Sequence, residues 1–368
     1  MKISERVAKL RALMRAEGLD AFVLFVFEGL NSEGCRYISG FSGSSAAIIV
    51  DDAETLFTDG RYSAQAGAES PFAVRIQSGT YLIKAVAEVF LKSRPGRKTV
   101  GFESDRMFHG AFETLKQLAG PGIKWKDASA LLPKLRRCKD ASEAEAIRRA
   151  GAVARSAYEA VLAEVRPGMT EAEFGNRLLF EVRAMGGEKG WPRDDFVVAS
   201  GLRGVMCHGR ATEKAFEPGD VVTVDFGATV GGYVSDVTRN FAVGRADARA
   251  IEIDGVLRSA HDLAAAALRP GLSGKDADAI ARQAIADAGY GAYFVHGLGH
   301  GIGLEVHEAP RLSNLSGDVL AEGDVVTVEP GIYIEGWGGM RLEDDYLITA
   351  NGAECLTPWE RRALEVVR

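Results

Sequence analysis

The sequence predicts an α+β fold in which a C-terminal domain made of two related helix-and-strand halves follows a smaller α/β domain. Three observations predict it. Gly219-Asp-Val-Val-Thr-Val224 recurs letter for letter at Gly323-Asp-Val-Val-Thr-Val328. Upstream of each copy stand matching segments, Arg155-Ser156-Ala157 with Arg166-Pro-Gly-Met-Thr170 and Arg258-Ser259-Ala260 with Arg269-Pro-Gly-Leu-Ser273. Ahead of the duplicated part, apolar β-branched runs alternate with helix-periodic ones, the mark of a mixed layer of strands and helices.

In chain order, the opening segment sets Val7, Leu10, Leu13 and Met14 at helical spacing, and Ala21–Val26 follows as an apolar strand. Further strands are expected at Ala46–Val50, Thr55–Thr58 and Thr99–Phe102, with helices around Tyr81–Lys92 and Gly110–Leu118. Leu132-Pro133 and the charged run Lys134–Asp140 mark the join, so the domains are expected at 1–133 and 134–368. A helix over Ser142–Val165 opens the second. In each half an amphipathic helix stops at Pro-Gly, and a Thr or Ser caps the next helix; Thr170 and Glu173 form a capping box. The strands Val221–Phe226 and Val325–Glu329 then read as β-branched and almost continuously apolar, as strands covered on both faces do.

Each repeated strand runs into a carboxylate, Asp225 in the first half and Glu329 in the second. After Asp225 the chain turns at Gly231-Gly232 and returns with Asp236; after Glu329 it passes Pro330–Gly339 and returns with Glu343. A carboxylate in a buried strand must be protonated, paired with a base or bound to a cation. Four converging on one cleft would raise one another's pKa unless cations held them. The pattern favours a metal, while any one acid taken alone could simply cap a strand end at the surface. Between the two hairpins lies Phe294-Val-His-Gly-Leu-Gly-His-Gly-Ile-Gly303, whose glycines let His296 and His300 approach a crowded site. His296, His300 and His307 are three of the six histidines. No acidic residue stands where a dinucleotide loop needs one, and Arg at position 311 excludes a helical zinc motif starting at His307-Glu308.

Ser200-Gly-Leu-Arg with Cys207-His-Gly, Asp225-Phe-Gly-Ala with Ser235-Asp-Val-Thr-Arg239, the run His296–Pro310, Glu329-Pro-Gly-Ile-Tyr333 and Gly339–Asp345 form an ordered series. The series resembles the signature of the pita-bread metallopeptidases, in particular their proline-directed branch of prolidase and aminopeptidase P, over about residues 140 to 360. Tyr37–Ser44 and Phe57–Tyr62 resemble the creatinase-like N-terminal domain of the same branch. The resemblance implies a C-terminal pita-bread (creatinase/aminopeptidase) fold behind an N-terminal creatinase-like domain. It implies that Asp225, Asp236, His300, Glu329 and Glu343 hold two divalent metal ions, with Asp236 and Glu343 bridging. Four carboxylates and one imidazole suit Mn2+ or Co2+, with Zn2+ also open.

The same resemblance implies a metal-bridging hydroxide as nucleophile, Glu329 as proton shuttle, His296 and His307 as oxyanion donors and His208 on the proline side of the substrate. Arg341 would orient the strand of Glu343, or be a plain ion pair. Arg311 resembles the guanidinium with which dipeptidase members hold a free proline carboxylate, a bidentate task that suits a planar fork. The expected activity is hydrolysis of the Xaa-Pro imide bond, which lacks the N–H that ordinary peptidases grip. Dipeptides are the expected substrates and Xaa-Pro aminopeptidase the alternative. Methionine aminopeptidase, a metal-free creatinase-like amidinohydrolase and a non-catalytic scaffold of the same fold are more remote. Phe196, Tyr233 and Tyr333 neighbour motif positions and read as core.

Composition narrows the partners. With 51 acidic against 44 basic residues the net charge is −7 and there is no basic footprint for nucleic acid. No apolar run suits a membrane span, and the charged, helix-periodic N-terminus has no signal-peptide core. Cys35, Cys138, Cys207 and Cys355 are scattered without paired spacing, as suits a reducing cytoplasm. A cytoplasmic protein is therefore expected, and the resemblance implies a homodimer acting on short proline-containing peptides.

Overall fold

Strands and helices alternate through much of Met1–Arg136, the first of two units into which the chain divides; Arg137–Arg368 is the second. The computed structural model describes residues 2–28, 30–77, 81–92, 98–191, 196–359 and 364–367. The first unit holds α1 (Ile3–Ala16), β1 (Ala21–Val26), α2 (Ser32–Ser39), β2 (Ala46–Val50), β3 (Glu54–Asp59), α3 (Ser63–Glu69), β4 (Ala73–Gln77), α4 (Leu82–Lys92), β5 (Lys98–Phe102), α5 (His109–Ala119), β6 (Ile123–Asp127) and α6 (Leu131–Arg136). Its sheet runs β4-β3-β2-β1-β5-β6. β1 and β2 are buried along their whole length and pair antiparallel at the centre. The edge strands β4 and β6 carry Arg, Gln, Lys and Asp among their apolar residues, which is why their sequences do not read as strands.

The second unit repeats one plan twice. α7 (Ala141–Leu162) and α8 (Glu171–Ala184) precede β7 (Val197–Ser200), β8 (Val221–Phe226), the short hairpin β9 (Thr229–Val230) and β10 (Tyr233–Val234), and β11 (Val237–Val243). α9 (Ala248–Ala267) and α10 (Gly274–Asp287) precede β12 (Gly299–Gly301), β13 (Glu308–Leu312), β14 (Val325–Val328), the hairpin β15 (Gly331–Ile334) and β16 (Gly338–Arg341), β17 (Asp344–Thr349) and β18 (Gly352–Cys355); β19 (Glu365–Val367) closes the series. Thr170 caps α8 by accepting from the Glu173 amide at 3.0 Å, and Ser273 caps α10 by accepting from Asp276 at the same distance. α7 begins one residue before the predicted start, on the capping box of Asp140 and Glu143, and ends at Leu162 rather than Val165. Its last turn tightens ahead of Pro167, with Val165 donating to the Leu162 carbonyl.

The two larger sheets of the second unit are ordered β19-β11-β8-β7 and β13-β12-β14-β17-β18. β8 pairs antiparallel with β11, and β14 antiparallel with β17, so each repeated strand lies beside the strand that returns from its hairpin. Gly231 and Gly232 take φ of 61° and 82°, the left-handed pair that a two-residue hairpin turn requires. Each half has its own core. Tyr158, Phe174, Phe216, Phe226 and Phe241 interlock in the first, and Leu257, Ile285, Leu298, Val326, Met340 and Ile348 pack in the second. Among the described residues no helix is long and apolar enough to cross a membrane.

Candidate metal centre

The repeated strands bring their acids to one place. Asp225 is the next-to-last residue of β8, opposite Thr238 of β11, and Asp236 stands immediately before β11. Glu329 follows β14, and Glu343 precedes β17 in the bend after β16. The halves are joined here by a bridge in which the Glu343 amide donates to the Thr238 carbonyl at 3.3 Å. Asp236, His300 and Glu343 each offer a ligand atom within 4.8 Å of the other two. His300 Nε2 lies 3.3 Å from Glu329 Oε1 and 3.7 Å from Asp236 Oδ2. Arg341 pairs with Asp225 and lies 3.9 Å from Glu343, which ties these two acids to the group.

Neighbouring side chains fix the acids. Thr238 Oγ1 donates to Glu343 at 2.6 Å while accepting from Arg341 Nε at 3.0 Å. Thr327 Oγ1 donates to Glu329 at 3.2 Å and accepts from the His300 amide at 3.1 Å. Arg239 backs the cluster by donating to the Glu343 carbonyl and pairing with Asp344, both at 2.6 Å. The Asp236 amide donates to Asp345, which is fully buried. Thr238, Thr327, Arg239 and Asp345 were not singled out as site residues by the sequence; the signal available was their place beside each acid in strand register.

Electrostatics favour a cation at the cluster. Burial, and then the charges of Glu343 and Asp225, push the Asp236 carboxyl well above its ordinary range. Burial, then Glu329 and Asp225, do the same to Glu343, and burial drives Glu329 up to about 8. Asp225 Oδ1 and Asp236 Oδ1 are buried without a hydrogen-bond partner among the described residues. His300 Nδ1 faces the Gly301 carbonyl at 3.0 Å and must donate to it, so Nε2 turns a lone pair toward carboxylate oxygens. Burial, and next the charge of His307, pull the His300 pKa down to about 3, so that a proton on Nε2 does not relieve this repulsion. Hard oxygen donors, one neutral imidazole and two orphaned oxygens fit a divalent cation.

Around these acids the other predicted residues form a more open rim. His307 is exposed, with its ring 4.3 Å from that of His300. His208 and Arg311 are exposed too, and their charges help to lower the His307 pKa after burial. Arg311 lies directly across from His300 in the pairing of β13 with β12. His296 is half-buried outside any strand, whereas His300 lies in β12 between Gly299 and Gly301. His296 Nδ1 donates to the Gly297 carbonyl at 2.8 Å, and Nε2 meets the Tyr333 hydroxyl at 3.1 Å. Tyr333 in turn accepts from Arg341 at 2.7 Å, so this tyrosine belongs to the site, whereas its apolar strand reads as core. Phe196 is core, edge-on to Trp191 and Phe226, and Tyr233 hydrogen-bonds Glu143. Behind His296, α10 carries Arg282, which donates to the carbonyls of Phe294 (2.9 Å) and His296 (2.8 Å) and pairs with buried Asp278.

Comparison with known proteins identifies the family. The metallopeptidase family M24 model matches residues 145–350, and that of the creatinase/prolidase N-terminal domain matches residues 6–138. A Xaa-Pro dipeptidase of Pyrococcus horikoshii is 36% identical over 365 residues, 98% of this chain and 99% of that protein. Among solved structures, a Xaa-Pro dipeptidase from Bacillus anthracis superposes with a TM-score of 0.92 at 36% identity, covering 100% of both chains. An X-Pro aminopeptidase from Thermotoga maritima superposes with a TM-score of 0.91 at 35% identity, covering 98% of this chain and 99% of that one.

Proposed function

Because the chain belongs to metallopeptidase family M24, we propose that it is a metal-dependent exopeptidase that hydrolyses the Xaa-Pro imide bond, with Xaa-Pro dipeptides as substrates. The observation that carries this is the buried cluster of like charges, whose orphaned oxygens and inward lone pair call for a cation. Asp225, Asp236, His300, Glu329 and Glu343 would hold two divalent ions, with Mn2+ preferred and Co2+ or Zn2+ as substitutes. When bound, the ions supply Lewis acidity toward the scissile carbonyl and acidify a water that attacks it.

The remaining steps fall to the chain's own residues. Glu329, the least enclosed of the five at 17% side-chain exposure, takes the proton of the attacking water on a carboxylate oxygen. It returns that proton to the prolyl nitrogen as the C–N bond breaks. His307 donates to the carbonyl oxygen as negative charge develops there. His296 donates through Nδ1 to the Gly297 carbonyl and accepts the Tyr333 hydroxyl on Nε2, so it donates to that oxygen only once its ring proton has moved to Nε2 and Tyr333 has released it. His208 packs against the proline side. Arg341 holds Asp225 in place, and Arg311 receives the free proline carboxylate as a bidentate partner.

A second reading, Xaa-Pro aminopeptidase acting on longer peptides, is favoured by the near-equal likeness to the Thermotoga protein. Residues 1–133 would form the creatinase-like domain and 134–368 the catalytic one, in a cytoplasmic homodimer. The test is hydrolysis of Xaa-Pro dipeptides beside Xaa-Pro-Xaa tripeptides by Mn2+-reconstituted protein. Cleavage of dipeptides is expected, turnover of tripeptides alone moves the assignment to the aminopeptidase, and inertness toward both overturns it.

A further inference from the structure

The loop that carries His208 is gathered at its neck by one carboxylate. Glu171, the first residue of α8, has a side chain with no solvent exposure. Its Oε1 accepts from the Ser200 amide and the Ser200 hydroxyl, each at 2.8 Å. Its Oε2 accepts from Arg203 Nη1 at 2.6 Å, from the Thr212 hydroxyl at 2.7 Å and from the Thr212 amide at 3.1 Å. Ser200 and Thr212 are the two ends of the loop, so both converge on a single group. Arg203 also reaches across the loop to the Arg210 carbonyl at 3.0 Å.

Hydrophobic packing does little to shape this segment. Within 201–210 only Gly204 and Gly209 are buried, while Leu202 and Met206 are 65% and 54% exposed. A loop with so little apolar burial keeps its conformation through polar contacts. Charge-assisted bonds to a buried carboxylate are the strongest such contacts available. At the apex the Cys207 carbonyl accepts from Arg341 Nη1 at 3.0 Å, which moors the loop on the buried acids, and His208 comes next. The second half has a parallel in Asp278 and Arg282 of α10, which grip the segment carrying His296.

We propose that Glu171 is a positioning residue for the reaction: by tying both ends of the 200–212 loop it holds His208 at the rim of the site. The proposal rests on the Xaa-Pro hydrolase reading above and acts through His208, since Glu171 lies at the far end of the loop from the acids. In Glu171→Gln the side-chain amide can accept on one side only, so the donors on the other side lose their partner.

The test compares wild type, Glu171→Gln, His208→Ala and the double variant, each reconstituted with Mn2+, on a Xaa-Pro dipeptide, alongside amide exchange of peptides spanning 200–212. Glu171→Gln is expected to lower kcat/KM at least tenfold, mainly through KM, and to speed exchange within 200–212 but not in β14 and β17. In the His208→Ala background the same substitution is expected to change kcat/KM less than twofold, because there is no imidazole left to place. Thr212→Val removes one hydroxyl bond and leaves the carboxylate, and a smaller change in the same direction is expected of it; it decides the matter should Glu171→Gln not fold. Unchanged exchange, or an equal loss of kcat/KM in both backgrounds, overturns the proposal. A wild-type protein that cleaves no Xaa-Pro peptide defeats the functional reading instead, and the exchange measurement then judges the loop by itself.

Discussion

Asp236 sets stability against chemistry at a single residue. It is 4% exposed, one of its oxygens has no hydrogen-bond partner among the described residues, and the charges of Glu343, Asp225, Asp345 and Glu329 oppose its own. A bound cation would offset the cost of that burial. Asp236→Asn should therefore raise the melting temperature of chelator-treated protein by a few degrees, roughly what 1 to 2 kcal/mol produces at this size, and should abolish the rise that added Mn2+ gives the wild type. A chelated variant that melts below chelated wild type would contradict this. Arg311 can be tested with substrates of two lengths. If it receives the proline carboxylate, Arg311→Ala should raise KM for a Xaa-Pro dipeptide about tenfold to a hundredfold, the equivalent of 1.5 to 3 kcal/mol for a charge-assisted bond, and spare a Xaa-Pro-Xaa tripeptide; equal losses on both would argue for a structural cation. The acids and histidines stand out in the sequence because charge in a β-branched strand violates its pattern. Tyr333, Thr238 and Thr327 violate nothing: each suits a buried strand, and only the partner beside each, Arg341, Glu343 or Glu329, reveals its role.

At the scale of elements, β12 depends on what its glycines lack. Cβ atoms on Gly299 and Gly301 would stand 2.1 Å from the Thr327 carbonyl oxygen and 2.2 Å from that of Ala309. These are backbone atoms of or beside the segments that flank β12, so the clash cannot be relieved by turning a side chain. The requirement is close approach rather than a left-handed backbone, since neither glycine has a positive φ. Gly299→Ala is expected to destabilise the protein by about 1 to 3 kcal/mol, the usual cost of overpacking a filled site, and to weaken Mn2+ binding by displacing His300. An unchanged urea midpoint together with unchanged metal affinity would refute it. The same strand marks where legibility ends. β8 and β14 are readable because they are Val-rich and repeated, and α8 because Thr170 and Glu173 announce its cap. β12 is a glycine-histidine-glycine triplet with no strand preference of its own, and it exists because β13 and β14 pair with it.

For the molecule as a whole, duplication is what makes the second unit's fold readable, since two copies of one plan constrain each other as a single copy would not. The first unit has no such internal check, and its polar edge strands and short helices emerge only from the sheet they complete. The two units should also answer to different solutes. Mn2+ at a hundred times its Kd should stabilise Arg137–Arg368 by about 2.7 kcal/mol through mass action, whereas Met1–Arg136 has a buried acid of its own, Glu103. Burial among Val23, Phe25, Phe102 and Met107 drives its carboxyl from the ordinary 4.5 up to about 7, while Asn31 Nδ2, donating at 2.6 Å, offsets part of the rise. A group whose pKa is raised on folding binds its proton more tightly in the native state, so its contribution is complete below pH 4.5 and is lost as pH climbs through about 7. The shift corresponds to about 3 kcal/mol at most. Amide exchange in β1 and β5 should thus quicken between these pH values, after correction for the intrinsic rate, whether or not Mn2+ is present. Glu103→Gln should flatten that dependence, because a neutral amide keeps the size of the side chain and has no proton to lose. Exchange in β14 should respond to Mn2+ and ignore Glu103→Gln. If the Gln variant kept the full pH slope in β1, the buried carboxyl would not be its source.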